Sequence, residues 1–305
     1  MLKDLIKDNQ RICFLGDSIT ARGTWLAEVY QYLVDYFPAK GLKLFNCGVS
    51  SEYTARGLKR LYVDCLNYSP DYVVIMYGMN DCKTGLYKDN IPSEEKTVAL
   101  NNYRMNLETI VRLCKKNGAQ VILCTPTVYD SYSLKEQECL PYVNDALGEC
   151  SRIVKELVVR ENLMLVDFFD AMKPFVEQGH YDLINEDRVH PSDSGHHLMA
   201  QVFLRDMGFT EKINLEEMPV FSEHNQKRLE LERTIRSIMF VEWAVMHDET
   251  VEGKLTLEEK KYISKERYPE CEWYPHEWKI FNENRDNLDL MRKHLYELTI
   301  GMYEA

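Results

Sequence analysis

Five short apolar runs alternate with helical stretches along the first two thirds of the chain. The runs are residues 12–15 (Ile-Cys-Phe-Leu), 42–46, 72–77 (Tyr-Val-Val-Ile-Met-Tyr), 120–124 and 163–166. The run at 72–77 is apolar throughout, as a strand covered on both faces must be. Between the runs, the apolar spacing predicts helices over 24–37, 53–67, 96–117 and 141–161, followed by 168–178 and 194–207. Gly118 is the expected stop of the helix at 96–117. Such alternation leaves one economical arrangement. It is an α/β fold with a five-stranded parallel sheet, right-handed crossovers and helices on both faces.

In an open sheet of this kind, ligands bind beyond the carboxyl ends of the strands. The first run stops at Gly16-Asp17-Ser18. A serine there turns its hydroxyl to a cleft and has its N–H free near a helix start, as an acyl-transfer nucleophile requires. Gly-Asp-Ser is equally good turn chemistry. The second run leads to Gly48, whose N–H can donate to an oxyanion, the missing Cβ letting substrate approach. After the third run, the side-chain amide of Asn80 is a further donor. Late in the chain Asp187 and His190 lie three apart on a loop before Pro191. They offer a base and a carboxylate to hold its tautomer. The competing reading is helix capping by Ser192 or Asp193.

Together these blocks resemble the SGNH hydrolases, also called the GDSL esterase/lipase family. Gly16-Asp17-Ser18-Ile19 resembles the nucleophile block and Asn46-Cys47-Gly48-Val49-Ser50 the glycine block. Gly78-Met79-Asn80-Asp81 resembles the asparagine block, and Asp187-Arg188-Val189-His190-Pro191 the block carrying acid and base. The resemblance implies a three-layer α/β/α sandwich, flavodoxin-like, over residues 1–212. It implies Ser18 as nucleophile, His190 as general base and then acid, and Asp187 as its orienter. The implied oxyanion hole is the N–H groups of Ser18 and Gly48 with the Asn80 side chain. Two departures stand out. Ile19 replaces the commoner leucine, and Ser51 stands where a second glycine is frequent, which bears on the loop beside Gly48.

The formal net charge of −12 argues against nucleic acid and anionic lipid as partners. The N-terminus has no apolar signal-peptide core, and no apolar run is long enough to span a bilayer. Nine cysteines without a Cys-x-x-Cys pair read as reduced thiols in a cytoplasmic protein. No metal or other cofactor is expected. His196 and His197 are adjacent on one helix and so face apart. Cys47 and Cys82 flank the oxyanion donors and read as packing residues. Arg22, Tyr53 and Tyr129 lie on loops near the site, either touching substrate or simply solvated.

Residues 213–305 lack strands and read as a helical extension. Its seam of Leu288, Met291, Leu295, Leu298 and Met302 packs on its own domain or joins two copies into a homodimer. Trp273, Tyr274 and Trp278 overhang the cleft or anchor that extension. The function expected is a serine esterase for a small-molecule ester, with acetyl esters on carbohydrate favoured because no lipid-facing segment is evident. The alternatives are a lysophospholipase or thioesterase taking longer acyl chains, a non-catalytic binding protein on the hydrolase scaffold, and an interaction protein working through the extension.

Overall fold

The computed structural model describes residues 1–37 and 39–209. The expected helical extension, its seam and Trp273, Tyr274 and Trp278 lie outside the described residues. The elements run α1 (Leu2–Leu5), β1 (Arg11–Gly16), α2 (Ser18–Arg22), α3 (Thr24–Tyr36), β2 (Lys43–Gly48) and α4 (Thr54–Asp64). They continue with β3 (Tyr72–Met76), α5 (Glu94–Lys116), β4 (Gln120–Cys124), α6 (Val143–Glu161), β5 (Met164–Val166), α7 (Phe168–Glu177) and α8 (Asp193–Asp206).

The five strands form one parallel sheet in the order β2-β1-β3-β4-β5. β3 is buried along its whole length, which is why its sequence shows no polar alternation. On one face α3 packs against α8 and α8 against α7; on the other, α4 packs against α5 and α5 against α6. This is the three-layer α/β/α arrangement. On the α3 side Trp25 is fully buried among Phe14 of β1, Phe168 and Phe203. Its ring centroid lies 5.4 Å from those of Phe14 and Phe168 and 5.8 Å from that of Phe203, with edge-on or tilted geometry.

Local signals set the element ends. Ser93 caps α5, its hydroxyl accepting the Lys96 N–H at 3.2 Å, and Gly118 at φ +86° follows its end. Ser192 caps α8 by accepting the Gly195 N–H. The sequence reading missed α2, because five residues are too few to show a period. The helix expected over 53–67 ends at Asp64, and a separate 3₁₀ turn covers Leu66–Tyr68.

The strand order reverses direction at β1, so β1 lies between β2 and β3. Gly16 at its end sits opposite Gly48 of β2 and Met76 of β3. The loops bearing Ser18, the glycine block and Asn80 therefore leave the sheet side by side, at the switch point where open sheets hold ligands. Among the described residues, no helix is long and apolar enough to cross a membrane.

Trp25→Ala should lower unfolding free energy by about 3–5 kcal/mol, the range for removing a fully buried aromatic ring. Urea denaturation checks this as a shifted midpoint at constant slope.

Candidate active site

Ser18 is the first residue of α2, and Asp17 is the helix cap, its Oδ1 accepting the Ile19 N–H at 3.0 Å. A first-turn N–H has no acceptor within its own helix. The Ser18 Oγ lies 2.7 Å from His190 Nε2. His190 Nδ1 lies 2.6 Å from Asp187 Oδ2. The other carboxylate oxygen, Oδ1, accepts the backbone N–H groups of Val189 at 3.0 Å and His190 at 2.9 Å. Partial burial raises the Asp187 carboxyl, but those N–H donations and the imidazole outweigh it and hold it below the usual carboxylate value. Hydroxyl, imidazole and carboxylate thus form one connected chain across 172 residues of sequence.

The loop carrying Asp187 and His190 is tied at its base. Ile184 bridges Pro191, and the Asn185 N–H donates to the His190 carbonyl at 2.8 Å. Arg188 is buried at φ +65°. Its guanidinium donates to the carbonyls of Gln137 (2.7 Å), Asp130 (2.9 Å), Lys135 (3.0 Å) and Ser133 (3.1 Å). The Lys135 ammonium returns the contact to the carbonyls of Ile184, Asn185 and Tyr181 while pairing with Asp130 at 2.8 Å. Asp130 is held down to about 2: burial opposes this, and the donors from Lys135, Ser133 and Tyr132 prevail. Arg188, Lys135 and Asp130 were not foreseen from sequence. Only the position of Arg188 inside the Asp-x-x-His block hinted at a role.

Gly48 and Asn80 lie at the neighbouring strand ends. The Gly48 N–H donates to its neighbour Asn46 Oδ1 at 3.0 Å. A Cβ on Gly48 would lie 2.3 Å from the Ala21 nitrogen, so glycine is required here by α2 packing across it. This constraint from packing is additional to the substrate approach expected from sequence. One N–H of the Asn80 amide donates to the Glu52 carbonyl at 2.8 Å, leaving the second for a ligand. Ser51 takes φ +58°, the left-handed turn a glycine would adopt freely, so the loop keeps that shape without the glycine.

Tyr129 is buried, its hydroxyl donating to Glu138 O and accepting from Leu140 N, so it holds a loop. Arg22 pairs with Asp193 at 3.6 Å, and Tyr53 is exposed at the start of α4. His196 is fully buried and His197 pairs with Glu28 at 2.5 Å. Cys82 is buried, its thiol donating to Met79 O. Among the described residues, the sulfurs of Cys13, Cys47 and Cys65 lie within 4.8 Å of one another. Burial chiefly pushes the Cys13 thiol well up, and contact with the other two does the same for Cys65.

The sequence model described as the GDSL-like lipase/acylhydrolase family matches residues 14–198. The chain belongs to this family. An acetylxylan esterase of Geobacillus stearothermophilus is 32% identical over 221 residues, which is 67% of this chain and 96% of that protein. A solved structure of a tryptophan-to-isoleucine variant of the acetylxylan esterase from that organism superposes with a TM-score of 0.59 at 27% identity, over 68% of this chain and 99% of its own. Others are catalytic variants of that esterase, in which a serine, an aspartate or a histidine is replaced by alanine. A gut microbial diltiazem-metabolizing enzyme superposes at 0.71 over 96% of both chains; at 15% identity this likeness is one of fold alone. Family membership makes this GDSL-like protein a carboxylic ester hydrolase.

Beneath the serine the charges are acidic. Burial pushes the Asp17 carboxyl up to about 7, with Asp81 and Glu52 adding to the rise. Burial likewise pushes Asp81 up to about 6, against the donations of Thr54. Both carboxyls hold protons in the folded chain that they release on unfolding. Their stabilising protonation is therefore complete below about pH 4, the unfolded value, and is lost as pH rises through 6–7. Asp17→Asn keeps a cap acceptor and removes the titration. Its Tm should fall less than the wild-type Tm between about pH 5 and pH 8, as read by scanning calorimetry.

Proposed function

We propose that this ester hydrolase works through an acyl-enzyme on Ser18 and acts on acetyl esters of carbohydrate. The observation that carries the reading is the connected chain from Ser18 through His190 to Asp187. In this scheme Nε2 of His190 takes the Ser18 proton as Oγ attacks the ester carbonyl. Asp187, ionised and bonded to Nδ1, favours the tautomer that leaves Nε2 free and then stabilises the imidazolium. The tetrahedral oxyanion is received by the Ser18 N–H, the second N–H of Asn80 and the Gly48 N–H, which an oxyanion would share with Asn46. His190 returns the proton to the departing sugar oxygen, and a water, activated in the same way, releases acetate. The acetyl preference is supported by likeness to an acetylxylan esterase over nearly the whole of that protein.

Ser18→Ala should lower kcat on p-nitrophenyl acetate by roughly 10³-fold or more with Tm retained. Asn80→Ala should cost roughly 10²–10³-fold in kcat, the range for one oxyanion donor. Turnover unchanged in the serine variant would end the proposal. Across p-nitrophenyl esters of increasing acyl length, kcat/KM should be highest for acetate. A maximum at long chains would instead favour the lysophospholipase or thioesterase alternative. Acetylated xylo-oligosaccharides are the natural second panel, with released acetate as the readout.

A further inference from the structure

The buried floor of the site contains a charged pair that the proposed chemistry does not use. Glu52 follows the left-handed Ser51 and turns its side chain inward, where it is 4% exposed. Arg60 of α4 grips it with two nitrogens: Nε donates to Oε1 at 2.6 Å and Nη2 donates to Oε2. The Tyr77 hydroxyl donates to the same Oε2 at 2.7 Å. Gly57 leaves room for that hydroxyl, since a Cβ there would lie 2.3 Å from it. Arg60 also pairs with Asp64 at 3.2 Å and reaches the Gly16 carbonyl at 3.5 Å. Burial works against its charge, but Tyr77, Glu52 and Asp64 prevail and hold the guanidinium protonated. One cation therefore touches the ends of β1 and β3 and the loop after β2, from which Ser18, Asn80 and Gly48 project.

The main chain of Glu52 makes the link to chemistry. Its carbonyl is the acceptor that fixes one N–H of the Asn80 amide. Amide side chains have a broad final torsion, so an Asn80 without that acceptor has no fixed plane. An oxyanion donor lowers a barrier only if it is aimed before charge develops. We infer that Glu52 is a positioning residue for Asn80: Arg60 and Tyr77 fix its carboxylate, and the fixed residue aims the amide through its backbone carbonyl. Stability alone does not call for this pair, because a buried ion pair is often replaceable by apolar residues without loss.

The inference rests on Asn80 serving the oxyanion as proposed above. The experiment is a double-mutant cycle on the full chain with p-nitrophenyl acetate, using Glu52→Gln, Asn80→Ala and the double variant, with Ser18→Ala beside them. Glu52→Gln should lower kcat roughly tenfold with KM changed less than about twofold, because the lost interaction matters only in the transition state. In the Asn80→Ala background it should cost less than about twofold, since its effect runs through that amide. Should Glu52→Gln fail to fold, Tyr77→Phe removes one donor to the same carboxylate. It should show a loss of about threefold that vanishes in the Asn80→Ala background.

A wild-type kcat in Glu52→Gln overturns the inference. So does an equal fold-loss with and without Asn80, which is the result of a purely structural role. Ser18→Ala retaining turnover would instead overturn the acyl-enzyme reading itself, and the inference with it. An inactive Ser18→Ala with additive losses sinks the positioning role alone.

Discussion

The site depends on the register of three parallel strands. Gly16 sits level with Gly48 on one side and Met76 on the other. Because β1 lies between β2 and β3, three loops from distant parts of the chain leave the sheet at one level. The backbone hydrogen bonds of the sheet fix that level, and a slip of one residue would reverse every side chain on the slipped strand. Phe14 would then leave the aromatic cluster around Trp25, so the packing of the α3 face guards the alignment of these three segments. The histidine loop comes from late in the described chain and leads into α8, which packs on α3.

Much of this was legible in the chain. Uninterrupted apolar runs specify strands covered on both faces, and the residues that stop them specify where the polar groups collect. The four family blocks could be read because each is contiguous. What escaped is non-local. Glu52 and Arg60 look like ordinary surface charges, and nothing near them in sequence says that both are turned inward. Arg188 contacts residues about fifty positions earlier through their carbonyls, which leave no trace in side-chain pattern. α2 was missed because five residues cannot display a helical period. At Gly48 a further reason for glycine escaped notice, the close approach of the backbone of that unrecognised helix.

Asp17, Glu52, Asp64 and Asp81 are all buried, and two of them, Glu52 and Asp64, share one arginine. Acids in such number share few compensating charges, and the chain answers in two ways. Glu52 and Asp64 are paired with Arg60, while Asp17 and Asp81 rise toward neutrality. The histidine loop follows the opposite strategy. There Asp187 and Asp130 are both lowered, each by several donors, and their charge is retained. N–H groups and an ammonium keep the carboxylates of the histidine loop charged, whereas burial drives Asp17 and Asp81 toward their neutral forms.

Arg188 grips residues 130–137 through main-chain oxygens alone, apart from a long contact to the Ser133 hydroxyl. A clasp that reads only carbonyls is indifferent to most side chains it spans. Leu134, fully exposed at its middle, can therefore be exchanged for almost any residue while the histidine keeps its place. Asp130 and Lys135 are excepted, since their side chains tie the segment to the histidine loop. Variation at Leu134 is thereby uncoupled from the position of His190.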